Sequence, residues 1–316
     1  MIEVLAAPPF MTVQDQGRHG LRAQGVPVSG AMDPEPLAWA NLLVGNPPTA
    51  AGLEWALGTG RIRIPAGRAF AAAGAPLTWS DMPILPLTAA VAGPDEVVEL
   101  GLPRRRFACL AVAGGIAVEP VLGSRSTYLV AGFGGHEGRR LRRGDLLPLG
   151  ESRFVPPQDP WGLPEDGGPE SRDSIRVVPG PQSDLFEQEA WEGLLSEAYT
   201  VSTASDRMGY RLDGPPLHHR GSASLPSEPV CAGAVQVPEG GAPIVLMPDG
   251  PTVGGYPKLA VVIGTDLGAL AQCPPGSRPR FELVTFDEAA AALRERAARF
   301  HEAERAFQSA ISLRTP

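Results

Sequence analysis

RHGLRAQGVP at Arg18–Pro27 and RMGYRLDGPP at Arg207–Pro216 share the pattern R-x-G-x-R-x-x-G-x-P, with five fixed positions in ten. Each follows a Thr-Val pair, Thr12-Val13 and Thr200-Val201. Such a recurrence, separated by most of the chain, points to two related lobes with pseudo-twofold symmetry. The glycines mark positive φ or close backbone approach. Two arginines four apart form a clamp for a carboxylate or phosphate, or else brace a turn.

The 316 residues fit two domains of roughly 150 residues each. Glu151–Ser174 is rich in Pro, Gly and acid and lacks periodicity, so it reads as a linker. The expected organisation is a lobe over residues 1–150, the linker over 151–174, a second lobe over 175–286 and a helix over 287–312. Short apolar runs such as Phe70–Ala73, Phe107–Val112, Ile244–Met247 and Leu259–Ile263 alternate with Gly and Pro, which predicts a mainly β chain of barrels or sandwiches. Helices are expected at Pro34–Val44, capped by Asp33, at Ser183–Ser196, and from an N-cap at Asp287 onward. In the last, Leu293, Ala297, Phe300, Phe307 and Ile311 form one apolar stripe, packed on its own barrel or offered to a partner.

The net charge of −8 argues against a nucleic-acid partner. No apolar run reaches the roughly 18 residues that cross a bilayer, so no membrane role is expected. The N-terminus carries no basic segment followed by an apolar one, and the three cysteines are widely spaced. Both features fit a reducing cytoplasm. The basic residues comprise 26 Arg and one Lys. Lys258 is thus an exception in a chain that otherwise chooses Arg, and lysine is the cation whose pKa moves when buried.

The densest candidate is PDGPTVGGYPK, Pro248–Lys258, between two apolar strands. Asp249 is placed to act as a base or to orient a cation, Lys258 to stabilise negative charge on an oxygen, and Gly254, Gly255 and Tyr256 to let backbone approach a ligand. The bland alternative is a long hairpin loop. VPVSGAMD at Val26–Asp33 exposes Ser29 but lacks the strand-Gly-x-Ser-x-Gly elbow of a hydrolase. Arg125, within Gly123–Thr127, binds an anion or closes a plain turn. AGFGGHEG at Ala131–Gly138 has no following Lys-Ser/Thr, so no P-loop is present. His136 and His218-His219 lack partners at ligand spacing, and no metal is expected.

Together these motifs resemble the carboxyltransferase-related family that takes in the C subunits of 5-oxoprolinases, allophanate-hydrolase-like second subunits and the antagonist of the Kip sporulation-kinase inhibitor. The resemblance is carried in order by Thr12–Asp15 with Gly17-Arg18, Gly25–Pro27 with Ser29–Asp33, Ala40–Asn46, Ala113–Ile116, Leu122–Thr127 and Gly132–Gly135. It continues in Ser205–Arg211, Gly233–Pro238 and Gly254–Lys258. Val253 stands where a Thr is expected, and Pro229 where a Gly is expected.

The resemblance implies two cyclophilin-like β-barrel lobes and a subunit of an ATP-dependent 5-oxoprolinase. With companion B and A subunits, that enzyme opens the lactam 5-oxo-L-proline to L-glutamate, using ATP with magnesium. Lys258, Asp249 and Asp206 are the implied catalytic groups. Substrate or nucleotide binding falls to Arg207, Arg211, Arg18, Ser29, Asp33, Asn41, Arg125, Glu228, Gln236, Gly254, Gly255 and Tyr256. The expectation is a cleft in which the duplicated arginines meet Lys258. Two alternatives stand beside it. One is a regulatory module that sequesters a kinase inhibitor. The other is a carboxyltransferase acting on a urea-like amide with biotin from another protein, since Lys258 lies in Gly-Tyr-Pro-Lys and not in a Met-Lys-Met carrier motif.

Overall fold

The computed structural model describes residues 1–157, 159–163, 174–196, 199–221 and 223–312, leaving aside the side chains of Ile311 and Ser312. Residues 158 and 164–173 of the expected linker lie outside the described residues. The chain is mainly β, with four α-helices among the described residues: α1 at Pro34–Leu43, α2 at Gln188–Ser196, α3 at Leu267–Ala271 and α4 at Phe286–Ser312.

Two units emerge, and they are not a single cut of the chain. One holds Met1–Arg18, the stretch from Ser29 to residue 163, and α4 from Ala298 onward; the other holds His19–Val28 and the chain from Ser174 to Ala297. Most of the first copy of the repeat is therefore assigned to the second unit.

In the first unit, one antiparallel sheet runs Leu146–Leu147, Ile2–Ala6, Gly60–Arg63, Val97–Leu100, Leu77–Trp79, Met82–Ile84. A second runs Trp161–Gly162, Thr88–Val91, Ala69–Ala73, Ala108–Val112, Gly52–Ala56, Phe10–Gln14. Side chains from both, such as Val4, Ile62 and Leu100 from one and Val13, Trp55, Phe70 and Leu110 from the other, form one core. Burying a side chain of this size stabilises the fold by about 1.5–3 kcal/mol.

The strand AFAAA at Ala69–Ala73 explains how α1 docks. Phe70 and Ala72 face that core, while Ala69, Ala71 and Ala73 face the other way, as period two requires. Together with Ala111 and Ala113 they make a floor of methyl groups on which Ala40 and Leu43 of α1 pack. Pro34 opens α1 behind Asp33, which is extended at φ −122° but gives the helix no side-chain cap bond. Gly45 ends the helix at φ +69°, with a Cβ position 2.4 Å from the Phe154 ring, so only glycine fits.

The second unit is built on a seven-stranded sheet: Thr200–Val201, Gly209–Asp213, Ile244–Leu246, Ala234–Gln236, Lys258–Val262, Ser174–Pro179, Arg280–Leu283. The last two pair in parallel. Glu228–Pro229 and Val253–Gly254 form a separate two-stranded ribbon. Tyr210 is buried, and its hydroxyl donates to the Ala271 carbonyl of α3 at 2.7 Å. Among the described residues, the sheets of the two units differ in strand number and order.

The last helix starts one residue before the expected Asp287. Its cap is Thr285: the Glu288 amide donates to Thr285 Oγ1 at 3.2 Å, and the Thr285 amide donates to Glu288 Oε2 at 2.7 Å. This reciprocal box satisfies two amides that α4 leaves open. It also holds the Glu288 carboxyl below the usual carboxylate range, chiefly through the Thr285 backbone amide. Of the expected stripe, Phe300 meets Trp39 edge-on at 5.1 Å and Phe307 stacks on Phe154 at 6.2 Å. Leu293 is instead 52% exposed, and the first turns pack through Ala289 and Ala292 against Val178 and Ile263. A helix lying close on a sheet has room for alanine at the contact and none for leucine. No helix among the described residues is long and apolar enough to cross a membrane.

Candidate functional site

Lys258 opens the strand Lys258–Val262 directly after Gly254-Gly255-Tyr256-Pro257. A register shift between Val235 and Gln236 sets Gln236 opposite Lys258. The ribbon sets Glu228 opposite Gly254. Four residues named from the sequence, Lys258, Gln236, Glu228 and Gly254, therefore converge in one unit.

The Lys258 ammonium is paired with Glu228 Oε1; the lysine side chain is 3% exposed, the glutamate 39%. Gln182 ties the pair down, its Nε2 donating to Glu228 Oε1 at 2.7 Å and its Oε1 accepting the Lys258 amide at 3.3 Å. Lys258, and Gln182 after it, hold the Glu228 carboxyl below the usual range. Gln236 is buried, and its Nε2 has no hydrogen-bond partner. A Cβ at Gly254 would lie 2.4 Å from that nitrogen, and a Cβ at Gly180 would lie 2.3 Å from the Lys258 carbonyl, so both glycines keep space for this cluster. An enclosed ammonium, held by one half-exposed carboxylate beside an unsatisfied amide NH2, is suited to receive an anionic or carbonyl oxygen.

The first-copy segment His19–Val28 reaches the same ribbon. Arg22 donates to the Val230 carbonyl and, at 3.2 Å, to that of Pro251. Gly255 lies against Leu225, and Tyr256 is 45% exposed.

Asp249 and Arg207 form a second cluster at the other end of the 248–257 loop. Both are buried, and the guanidinium bonds both carboxylate oxygens, Nε at 2.8 Å and Nη2 at 3.2 Å. With both oxygens so engaged, Asp249 orients Arg207. Asp206 is exposed, and its Oδ1 accepts the Met208 and Gly209 amides at 2.8 and 3.3 Å, organising the turn. Arg211 extends outward from its strand, while its amide donates to Ser205 Oγ at 3.0 Å.

The remaining candidates lie in the first unit and form a different set. Arg18 is 1% exposed, donates to the Ser126 carbonyl at 2.5 Å and lies over the Phe133 ring at 4.9 Å. Asp15 collects the Gly17 amide, the Ser124 hydroxyl and the Arg125 amide at 2.6–2.8 Å. Arg125 itself donates to the Val118 carbonyl at 2.8 Å. Asn41 is structural, donating to the Ala50 carbonyl at 2.8 Å and accepting from Asn46 at 2.9 Å. Asp33 precedes α1. Ser29 is buried at φ +55°, with no partner for its hydroxyl. Two residues join the Lys258 site that sequence reasoning does not place there. Arg22 is visible in the repeat. Gln182 carries no local signal, because it meets Lys258 only through the fold.

The carboxyltransferase domain, subdomains A and B, matches residues 24–283. The chain is 38% identical over 304 residues to the 5-oxoprolinase C subunit of Escherichia coli, covering 92% of this chain and 93% of that one. It is 34% identical over 296 residues to the 5-oxoprolinase C subunit of Haemophilus influenzae, with the same coverage of 92% and 93%. The solved structure of K. lactis urea amidolyase superposes with a TM-score of 0.86 at 28% identity, over 97% of this chain and 20% of that much longer one. With its mainly β lobes and its ordered motifs, the chain belongs to the carboxyltransferase-domain family that includes the C subunits of 5-oxoprolinases.

Proposed function

We propose that this chain is a subunit of an ATP-dependent 5-oxoprolinase, which opens 5-oxo-L-proline to L-glutamate together with B and A subunits. The observation that carries the reading is the near end-to-end match to two C subunits. A lactam is a poor electrophile, and ATP removes that obstacle. Its γ-phosphoryl group passes to the lactam oxygen, and water adds to the carbon. The ring C–N bond breaks with a proton to nitrogen, and a second water releases phosphate.

In this scheme Lys258 Nζ and Gln236 Nε2 donate to the oxygen that carries negative charge, and Glu228 holds the ammonium in place. Arg207, locked to Asp249, braces the start of the loop that leads to Lys258. Among the described residues no three His, Cys, Asp or Glu side chains converge to hold a metal. In this reading ATP with magnesium is a co-substrate of the assembled complex.

The test is reconstitution. The chain alone turns over nothing; mixed with its B and A companions it yields glutamate and ADP only when 5-oxoproline is present. A folded, assembled mixture without lactam-dependent ATP turnover rejects the reading. The likeness to urea amidolyase favours a second reading, carboxyl transfer to a urea-like amide with biotin supplied by another protein. Inhibition of the activity by avidin would select it.

A further inference from the structure

One end of the first unit brings together groups that are far apart in sequence. Arg140 lies over the Phe10 ring at 5.0 Å, and Arg106 over the Phe107 ring at 5.6 Å. The two rings meet edge to face with centroids 6.3 Å apart. Arg140 also donates to the Pro9 carbonyl at 3.4 Å. The Arg106 and Arg140 guanidiniums thus meet at one aromatic pair, with Arg104 and Arg105 exposed in the loop that carries Arg106, while the neighbouring Arg139 is tied to Asp145 and Glu137.

Two apolar side chains stand in this basic setting. Leu102, in the arginine loop, is 62% exposed. Leu57 is 70% exposed and follows Ala56, which pairs with Phe10. It sits at φ +61°, a backbone conformation that disfavours leucine. A leucine exposed at such a position gains little burial from its own chain.

We propose that this face is a docking surface for an acidic face of a companion subunit, a proposal that rests on the reading of the chain as one part of an assembly. Protein interfaces are enriched in arginine and aromatic residues, with apolar anchors inside a polar rim. Guanidiniums stacked on rings are ordered before binding, which lowers the entropy lost on association. The chain as a whole carries −8, so a cluster of cations at one end is a local feature matched to a negatively charged partner.

The experiment measures the affinity of the purified chain for its purified B and A companions at 0.1 and 0.5 M salt. Variants are Arg106→Glu with Arg140→Glu, and separately Leu102→Asp, which touches only an exposed side chain. Each is first checked for an unchanged unfolding midpoint. The expected result is a loss of affinity of at least about tenfold in each variant, with salt weakening the unaltered chain and leaving the double variant nearly flat. Unchanged affinity in both variants overturns the docking surface while leaving the subunit reading intact. Failure of the unaltered chain to bind at either salt withdraws both. A self-association that the same variants abolish, or binding of the face to a nucleic-acid oligomer, overturns the choice of partner.

Discussion

The two copies of R-x-G-x-R-x-x-G-x-P have the same letters and different fates. In the first, Arg22–Gln24 forms a 3-10 turn, and Arg22 ties that turn to the Val230 and Pro251 carbonyls. In the second, Gly209–Asp213 is a strand within the sheet, and Arg211 points to solvent. The leading arginines are both buried, but Arg18 rests on a ring and a carbonyl while Arg207 is locked to Asp249. Spacing alone does not assign a role to a side chain; its partner does, and at Arg207 a carboxylate fills the fork.

The comparison breaks most visibly by mutation of the second copy. Asp249→Ala removes the carboxylate that engages a buried guanidinium and is expected to cost about 3–5 kcal/mol, whereas Arg211→Ala stays within about 0.5 kcal/mol. Urea unfolding midpoints decide this; equal losses would mean that the two arginines share a role after all. In the first copy, Arg22→Ala removes charged hydrogen bonds to two carbonyls and is expected to cost about 1.5–3 kcal/mol, again by urea unfolding. A loss as small as that of Arg211→Ala would detach the first copy from the ribbon that carries Glu228. A smaller effect sharpens the contrast with α4, whose cap lies outside both copies. Thr285→Ala is expected to cost about 1 kcal/mol, read by thermal unfolding.

The smallest effect is one of pH. Glu228 titrates below its ordinary value of 4.5 when folded, because Lys258 and Gln182 favour its charged form. Its contribution is therefore fully present above that value and is lost as pH falls through the lowered one. The stability difference between the unaltered chain and Glu228→Gln should shrink across that acid range and stay constant at neutral pH. A difference that grows on acidification would reverse the assignment.

Much of this is legible in the sequence. The β-rich class follows from short apolar runs between Gly and Pro, and Lys258 stands out against 26 arginines. Gly254 stands out in the glycine-rich loop, Glu228 and Gln236 enter through family resemblance, and the fold gathers all three around Lys258. What stays hidden depends on tertiary pairing. Gln182 reaches Lys258 across 76 residues of chain, and no local pattern marks it. The start of α4 differs from the expected one by a residue, although Thr285 and Glu288 have capping-box spacing, because Asp287 is an equally good cap by type. Leu293 falls on the predicted stripe yet is exposed, because periodicity reports a face and not the distance to the neighbouring sheet.

Lys258→Met in the reconstituted assembly tests the central claim most directly, because it keeps the length of the side chain and removes its charge. Assembly with the B and A companions should match that of the unaltered chain, while glutamate release from 5-oxoproline falls below detection. Glutamate release at the unaltered rate from a fully assembled Lys258→Met complex would contradict the account.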